Sequence, residues 1–171
     1  QPDYGFAILN DCKYGHRIIG STIELSLLRS PKSPDPEADM HVHTFTFAYY
    51  PHAGSVIDGE VLQAAHQLNS KPFLYPVSVA PAEASKSAFS VEGGTVKIES
   101  VKRAESGDGT VLRLYEYAGR TARVRLNANM EFSAVEETNL EERTLDAVNA
   151  SGNAVEIELT PYEIKTVKLV D

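Results

Sequence analysis

Five histidines, one cysteine and 24 acidic residues are the side chains of this 171-residue chain best equipped for chemistry. His41 and His43 stand at i and i+2, so on a strand both imidazoles point to one side, and His52 follows just after Tyr50-Pro51. Three such nitrogens could ligate a metal if the fold gathered them. No cysteine pair accompanies them, and they read instead as hydrogen-bonded or solvated structural groups. Cys12 precedes His16 by four residues, which suggests a thiol nucleophile and its base. Such pairs are assembled in space rather than by a local turn, and no thiol-enzyme signature surrounds this one. Glycoside hydrolysis needs two carboxylates roughly 5–10 Å apart, with one kept from water so that its pKa rises. Asp35, Glu37 and Asp39, the pair Glu136 and Glu137, and the pair Glu141 and Glu142 all lack that shielded context and read as solvated acidic faces. The glycine turns at 93–95 and 107–109 are too short to cradle phosphate, and no helix follows either. What remains is LNDCKYGH (9–16), a polar stretch whose amide, carboxylate, thiol, ammonium, phenol and imidazole suit hydrogen bonding better than bond cleavage.

The chain around these residues is of ordinary soluble composition, 42% hydrophobic and 23% charged, and is long enough to bury a core without disulfides. The lone Cys12 excludes an internal disulfide framework and makes a reducing compartment the easier assumption. Sixteen basic against 24 acidic residues leave a net charge of -8, which argues against nucleic acid and against an anionic membrane surface. No apolar run approaches the roughly 18 residues of a membrane span. The start, Gln1-Pro2-Asp3, has neither an initiator Met nor a signal peptide, and reads as the start of a piece of something longer. The sequon Asn149-Ala150-Ser151 is too common by chance to indicate secretion.

The elements that must position LNDCKYGH are strands. Period-two alternation runs through 21–29, 43–49, 111–118, 122–128 and 155–159, with further strands expected at 5–9, 16–20, 73–80, 86–91, 94–104, 131–136 and 162–170. Gly93-Gly94, Gly107-Asp108-Gly109, Ala118-Gly119-Arg120 and Ser151-Gly152-Asn153 punctuate them, and the Asp-Gly turn between Glu105 and Thr110 predicts a hairpin. Many short strands joined by such turns predict an all-β fold of antiparallel β-sandwich modules. One short helix is expected near 56–69, where Ile57, Val61, Leu62, Ala65 and Leu68 share a face, Ser55 and Asp58 form a capping box, and Pro72 lies beyond the end. SPKSPDPEADM (30–40) must be a loop, since its three prolines exclude helix and central strand. A second break at 79–86 divides the chain into 1–78, which looks incomplete as a core, and 79–171, which looks complete.

YGFAILNDCKYGH (4–16), IELSLLRSP (23–31), PDPEAD (34–39), HTFTFAYYPH (43–52), MEFSAVEETNLEE (130–142) and TPYEIKTVKL (160–169) resemble, in order and spacing, the C-terminal region of α-mannosidases of glycoside hydrolase family 38. The NDCKYG loop with LLRSPxxPDPxAD is similar to the cytosolic, largely bacterial branch; the lysosomal and Golgi enzymes look like AsnAspArg-x-x-Gly there. The resemblance implies a retaining exo-α-mannosidase whose zinc and catalytic residues lie in an N-terminal catalytic barrel outside these 171 residues. No metal and no catalytic residue are then expected within them. It implies that 1–78 is the end of the large mannosidase β-sandwich and 79–171 a small C-terminal one. Their expected partners are the catalytic domain of the same polypeptide and a mannose-containing oligosaccharide, with homo-oligomers left open. Carried over by position, Asn10, Asp11, Cys12, Lys13, Tyr14 and Gly15 would wall the sugar pocket. Arg17 departs from the pattern, which leads one to expect an acidic or small polar residue. A carbohydrate-binding module with its own sugar site and a purely structural assembly domain are the rival readings.

Overall fold

The computed structural model describes residues 3–78 and 85–171. The chain divides into two compact units, Gln1–Ser78 and Val79–Asp171. All sheets are antiparallel and one α-helix is present among the described residues, so the chain is all-β. No helix among them is long and apolar enough to cross a membrane.

The first unit holds two separate two-stranded sheets. Strand β1 (Tyr4–Asn10) pairs with β4 (Phe47–Ala53), and β2 (Gly15–Ile19) pairs with β3 (Thr22–Ser26). In the first sheet the two faces differ sharply. Ala7, Leu9, Ala48, Tyr50 and His52 lie on the side covered by α1 (Val61–Asn69), where Leu9 and Val61 are the buried apolar side chains of this unit. Tyr4, Phe6, Phe47 and Tyr49 lie on the other side and are exposed, Phe6 by 50% and Tyr49 by 66%. The residues from 70 to 78 form no strand, and Phe73, Leu74, Tyr75 and Val77 are exposed. The strand expected at 73–80 is therefore absent as far as the described residues reach. Pro72 precedes the run and Pro76 interrupts it, and both lack the N–H groups that a ladder needs.

Helix α1 begins at Val61, later than expected. The Ser55–Asp58 box does form, with Ser55 Oγ donating to Asp58 Oδ2 over 2.7 Å and Asp58 N donating to Ser55 Oγ over 3.3 Å. It closes a separate turn, in which Gly59 N donates to Ser55 O over 2.8 Å. Glu60 then takes a left-handed conformation, φ 54°, that breaks continuity with the helix. Gly59, an unfavourable residue for a helix, is required by packing. A Cβ there would stand 2.4 Å from His52 Nδ1, and a Cβ on Gly5 would stand 2.3 Å from the same ring. The imidazole fills a slot that two missing side chains leave open.

The second unit is a closed sandwich. One sheet runs β10 (Thr144–Val148), β9 (Ala134–Thr138), β13 (Ile164–Val170), β7 (Gly109–Glu116) and β6 (Val96–Arg103); the other runs β11 (Ala150–Ser151), β12 (Ala154–Leu159), β8 (Ala122–Ala128) and β5 (Phe89–Glu92). Leu112, Leu114, Val167 and Leu169 of the first face Val124, Leu126, Val155 and Leu159 of the second in one continuous core. In β8, Ala122, Val124, Leu126 and Ala128 are buried while Arg123 and Arg125 are exposed, as the period of two demands. The expected hairpin joins β6 to β7, with Ala104 N donating to Gly109 O over 2.8 Å and Gly107 at φ 79°.

Glu116 sits where β7 leaves its sheet for β8, 1% exposed. Its carboxylate accepts from Ala118 N at 2.8 Å, Gly119 N at 2.7 Å and Tyr162 N at 3.0 Å, and from the Thr95 hydroxyl. Burial alone pushes this carboxyl up, but these donors outweigh it and hold the pKa at about 2. Tyr162 lies over Gly119, where a Cβ would stand 2.5 Å from the phenol oxygen. One carboxylate thus ties three turns of the sandwich together.

Candidate functional site

The loop 11–14 links β1 to β2 and so bridges the two small sheets of the first unit. It is built as a continuation of the β1–β4 ladder. Asn10 stands opposite Phe47 in register. Beyond it, Asp11 N donates to Thr46 O over 3.1 Å, and Thr46 N donates to Asp11 Oδ1 over 3.0 Å. A side-chain carboxylate thus takes the place of a backbone carbonyl, and the ladder ends there. This is why the strand expected at 43–49 begins only at Phe47: Thr46 spends its backbone groups on the loop.

Asn10 closes the turn from inside, since its Oδ1 accepts from Lys13 N at 2.6 Å and its carbonyl accepts from Asn69 Nδ2 at 3.2 Å. His16 braces the far end. Its Nδ1–H donates to Tyr14 O over 2.9 Å, while Nε2 accepts from Asn10 Nδ2 at 3.4 Å. Both ring nitrogens are engaged with the loop, which leaves His16 as a brace rather than a base for Cys12.

The thiol itself is the reverse of a nucleophile. Its S–H donates to the Asp11 carboxylate, and that bond, with the burial and the negative charge beside it, raises the Cys12 pKa. A reactive cysteine needs a lowered one. The Thr46 N–H, with help from Cys12, holds Asp11 below its ordinary value. Cys12, exposed, and Tyr14, 92% exposed, form the tip, and the Lys13 ammonium lies 4.7 Å from the ring centroid of Phe45. Behind the loop opens a cleft of about 250 Å³ lined by Lys13, Gly15, Ser26, Arg29, Asp39 and His43. Of the six candidate residues, Asn10 and Asp11 therefore hold the loop, Cys12 and Tyr14 project from it, and Lys13 and Gly15 line the cleft.

The other candidates are dispersed. The His41 and His43 rings lie with centroids 4.1 Å apart, tilted by 35°, and His43 Nε2 donates to Asp39 O over 3.0 Å. His52 is in its slot between Gly5 and Gly59. Among the described residues no three His, Cys, Asp or Glu side chains gather to hold a metal. Asp39 is held below its ordinary pKa by the Ser30 N–H, which donates to Oδ2 over 2.9 Å. Asp35 closes a local turn by accepting from Glu37 N at 2.9 Å. Glu137 pairs with Lys165 at 3.0 Å, and Glu142 with Lys102 at 2.6 Å. Arg17, the departure from the expected pattern, forms a two-pronged pair with Glu24 across the β2–β3 hairpin, at 2.7 and 3.0 Å.

Comparison with known proteins decides the family. Residues 95–167 match the glycosyl hydrolases family 38 C-terminal beta sandwich domain, and residues 1–37 match the family 38 C-terminal domain. The chain belongs to the C-terminal region of glycosyl hydrolase family 38. The sandwich match falls in the second unit, and the other match contains the 10–15 loop. Among relatives, the human alpha-mannosidase 2C1 is 40% identical over 98% of this chain and 16% of its own length. Alpha-mannosidase G of Dictyostelium discoideum is 35% identical over 98% of this chain and 16% of its own. An alpha-mannosidase of Saccharomyces cerevisiae is 32% identical over 96% and 17%. This family 38 chain thus spans about a sixth of the length of the curated relatives it matches.

Proposed function

We propose that this chain is the C-terminal part of a retaining, zinc-dependent exo-α-mannosidase that removes terminal α-mannosyl residues from oligosaccharides. The first unit docks on the catalytic part of the same polypeptide and presents residues 10–15 as one wall of the sugar site. The observation that carries this reading is the loop's construction. Asn10, Asp11 and His16 spend their polar groups fixing its backbone, while Cys12 and Tyr14 are exposed at its tip and Lys13 lines the cleft beside it. The exposed face of Phe6, Phe47 and Tyr49 supports it, since an apolar surface of that kind marks a contact. The free, protonated Cys12 suits a cytoplasmic setting.

The Lys13 ammonium and the Tyr14 hydroxyl would bond sugar hydroxyls, and Gly15 leaves the backbone open to close approach. Groups of this kind act through orientation, not bond-making. Zinc would polarise the sugar elsewhere in the polypeptide. Among the described residues the donors do not assemble into a site for it, so no step is assigned to it here.

The test is turnover of an aryl α-mannoside by the full-length polypeptide and by the isolated chain. Activity is expected only in the first; turnover by the isolated chain, or none by the full-length protein, overturns the reading. The exposed aromatic stripe is also what an independent carbohydrate-binding module would need. Calorimetry with mannosides separates the two readings, because millimolar or tighter binding by the isolated chain favours the module.

A further inference from the structure

Lys13 carries the only cationic group of the loop at neutral pH. Among the described residues its ammonium has no carboxylate partner; it rests on the ring of Phe45 instead, 4.7 Å from the centroid. Phe45 is half-buried and lies outside any strand. Two things hold it. Its neighbour Thr46 is locked to Asp11 by a pair of hydrogen bonds. Its ring begins a row along the open face of the β1–β4 sheet: Phe45 to Phe47 at 6.5 Å, Phe47 to Tyr49 at 5.9 Å, and Tyr49 to Phe6 at 5.7 Å. A flexible lysine side chain is thereby given a seat on a ring that has neighbours of its own. An aliphatic residue at 45 would keep the apolar contact but not the attraction of a cation to an aromatic face.

We infer that Phe45 is a positioning residue of the sugar site: it never touches sugar, but it aims the Lys13 ammonium at the cleft beside the loop. This rests on the sugar-site reading above. It also gives the aromatic row a consequence, because whatever covers Phe47, Tyr49 and Phe6 steadies the lysine through Phe45.

The experiment is steady-state kinetics of the full-length polypeptide on an α-mannoside. Phe45→Leu is expected to raise KM about fivefold with kcat held, as loss of a binding contact does. Lys13→Gln should do the same, and the double variant should be no worse than Lys13→Gln alone, since both remove one interaction. Effects that multiply, a fall confined to kcat, or a KM untouched by Phe45→Leu overturn the role of Phe45 while leaving the sugar-site reading in place. An inactive wild-type polypeptide overturns both. If Phe45→Leu does not fold, Phe45→Trp decides. The larger ring attracts the cation more strongly, so KM should fall when Lys13 is present and stay put in the Lys13→Gln background; no such difference overturns the inference.

Discussion

Asp11 and Glu116 are both carboxylates held below their ordinary pKa by hydrogen-bond donors, and they are placed at corresponding points, where a strand leaves its sheet. Glu116 is buried and spends both oxygens on donors from three turns. Asp11 is exposed and holds a single backbone N–H, at Thr46, together with the Cys12 thiol. The units around them differ in the same way. The sandwich around Glu116 closes on its own core, while the sheet behind Asp11 buries one face under α1 and leaves an aromatic face open. A carboxylate that ties a finished core together is a structural element. One that stiffens an exposed loop beside an open apolar face fits the interface proposed above.

The largest effect should come from testing whether one unit is closed and the other open. Leu112 is fully buried between the two sheets of the sandwich, so Leu112→Ala should cost about 3 kcal/mol in denaturant unfolding of the isolated chain. Phe6→Ala, on the open face, should cost less than about 0.5 kcal/mol in the same measurement. A comparable loss at Phe6 would mean that its face is packed within this chain, and the contrast between the units would fail.

Next in size is the carboxylate of the closed unit. Glu116→Ala removes the acceptor for several buried N–H groups at once, and should lower the melting temperature of the sandwich on the order of 10 °C. Glu116→Gln, which keeps one acceptor oxygen, should fall between. The pH dependence has a defined sign. With a folded pKa of about 2 against an ordinary 4.5, the unfolded chain takes up the proton first as pH falls. The stabilisation is therefore complete above about pH 4.5 and is lost as pH drops toward 2. Acid titration of the melting temperature should show this loss in the wild type and a shallower one in Glu116→Gln; parallel curves would remove Glu116 from its place as the tie.

The same contrast governs what could be read from sequence. In the closed unit, strands such as β8 and β12 are packed on one side, so the period of two is plain in ARVRLNA and AVEIEL. Strands β10 and β11 went unread because they are edge strands, almost wholly exposed, and carry no alternation. Glu116 gave no signal either: on a strand it reads as one more polar residue, and its donors come from positions 95, 118, 119 and 162, which only the fold brings together. In the open unit, two local competitions displaced the elements. Asp11 captured Thr46 and shortened the strand at its start, and the left-handed Glu60 separated the capping turn from the helix. The chemistry of LNDCKYGH was legible as a polar turn. Its division into residues that hold and residues that project was not, because that depends on Thr46, Asn69 and Phe45, far off in sequence.

The smallest effect sharpens the open side of the comparison. Arg17 and Glu24 face each other across the β2–β3 hairpin in a two-pronged pair, with side chains 63% and 50% exposed. Such a pair in water is worth at most about 1 kcal/mol and is screened by salt. Arg17→Gln should therefore leave the stability of the isolated chain nearly unchanged, with any difference vanishing at 1 M salt. Its place is more telling than its energy. Arg17 follows His16, which braces the loop, and its guanidinium is committed to Glu24 rather than to the cleft behind Lys13. If the loop is the working surface, Arg17→Gln should leave KM of the full-length polypeptide as it was, while Lys13→Gln raises it. Equal increases from both would spread the site over the hairpin and dissolve the distinction between the residues that hold the loop and those that it presents.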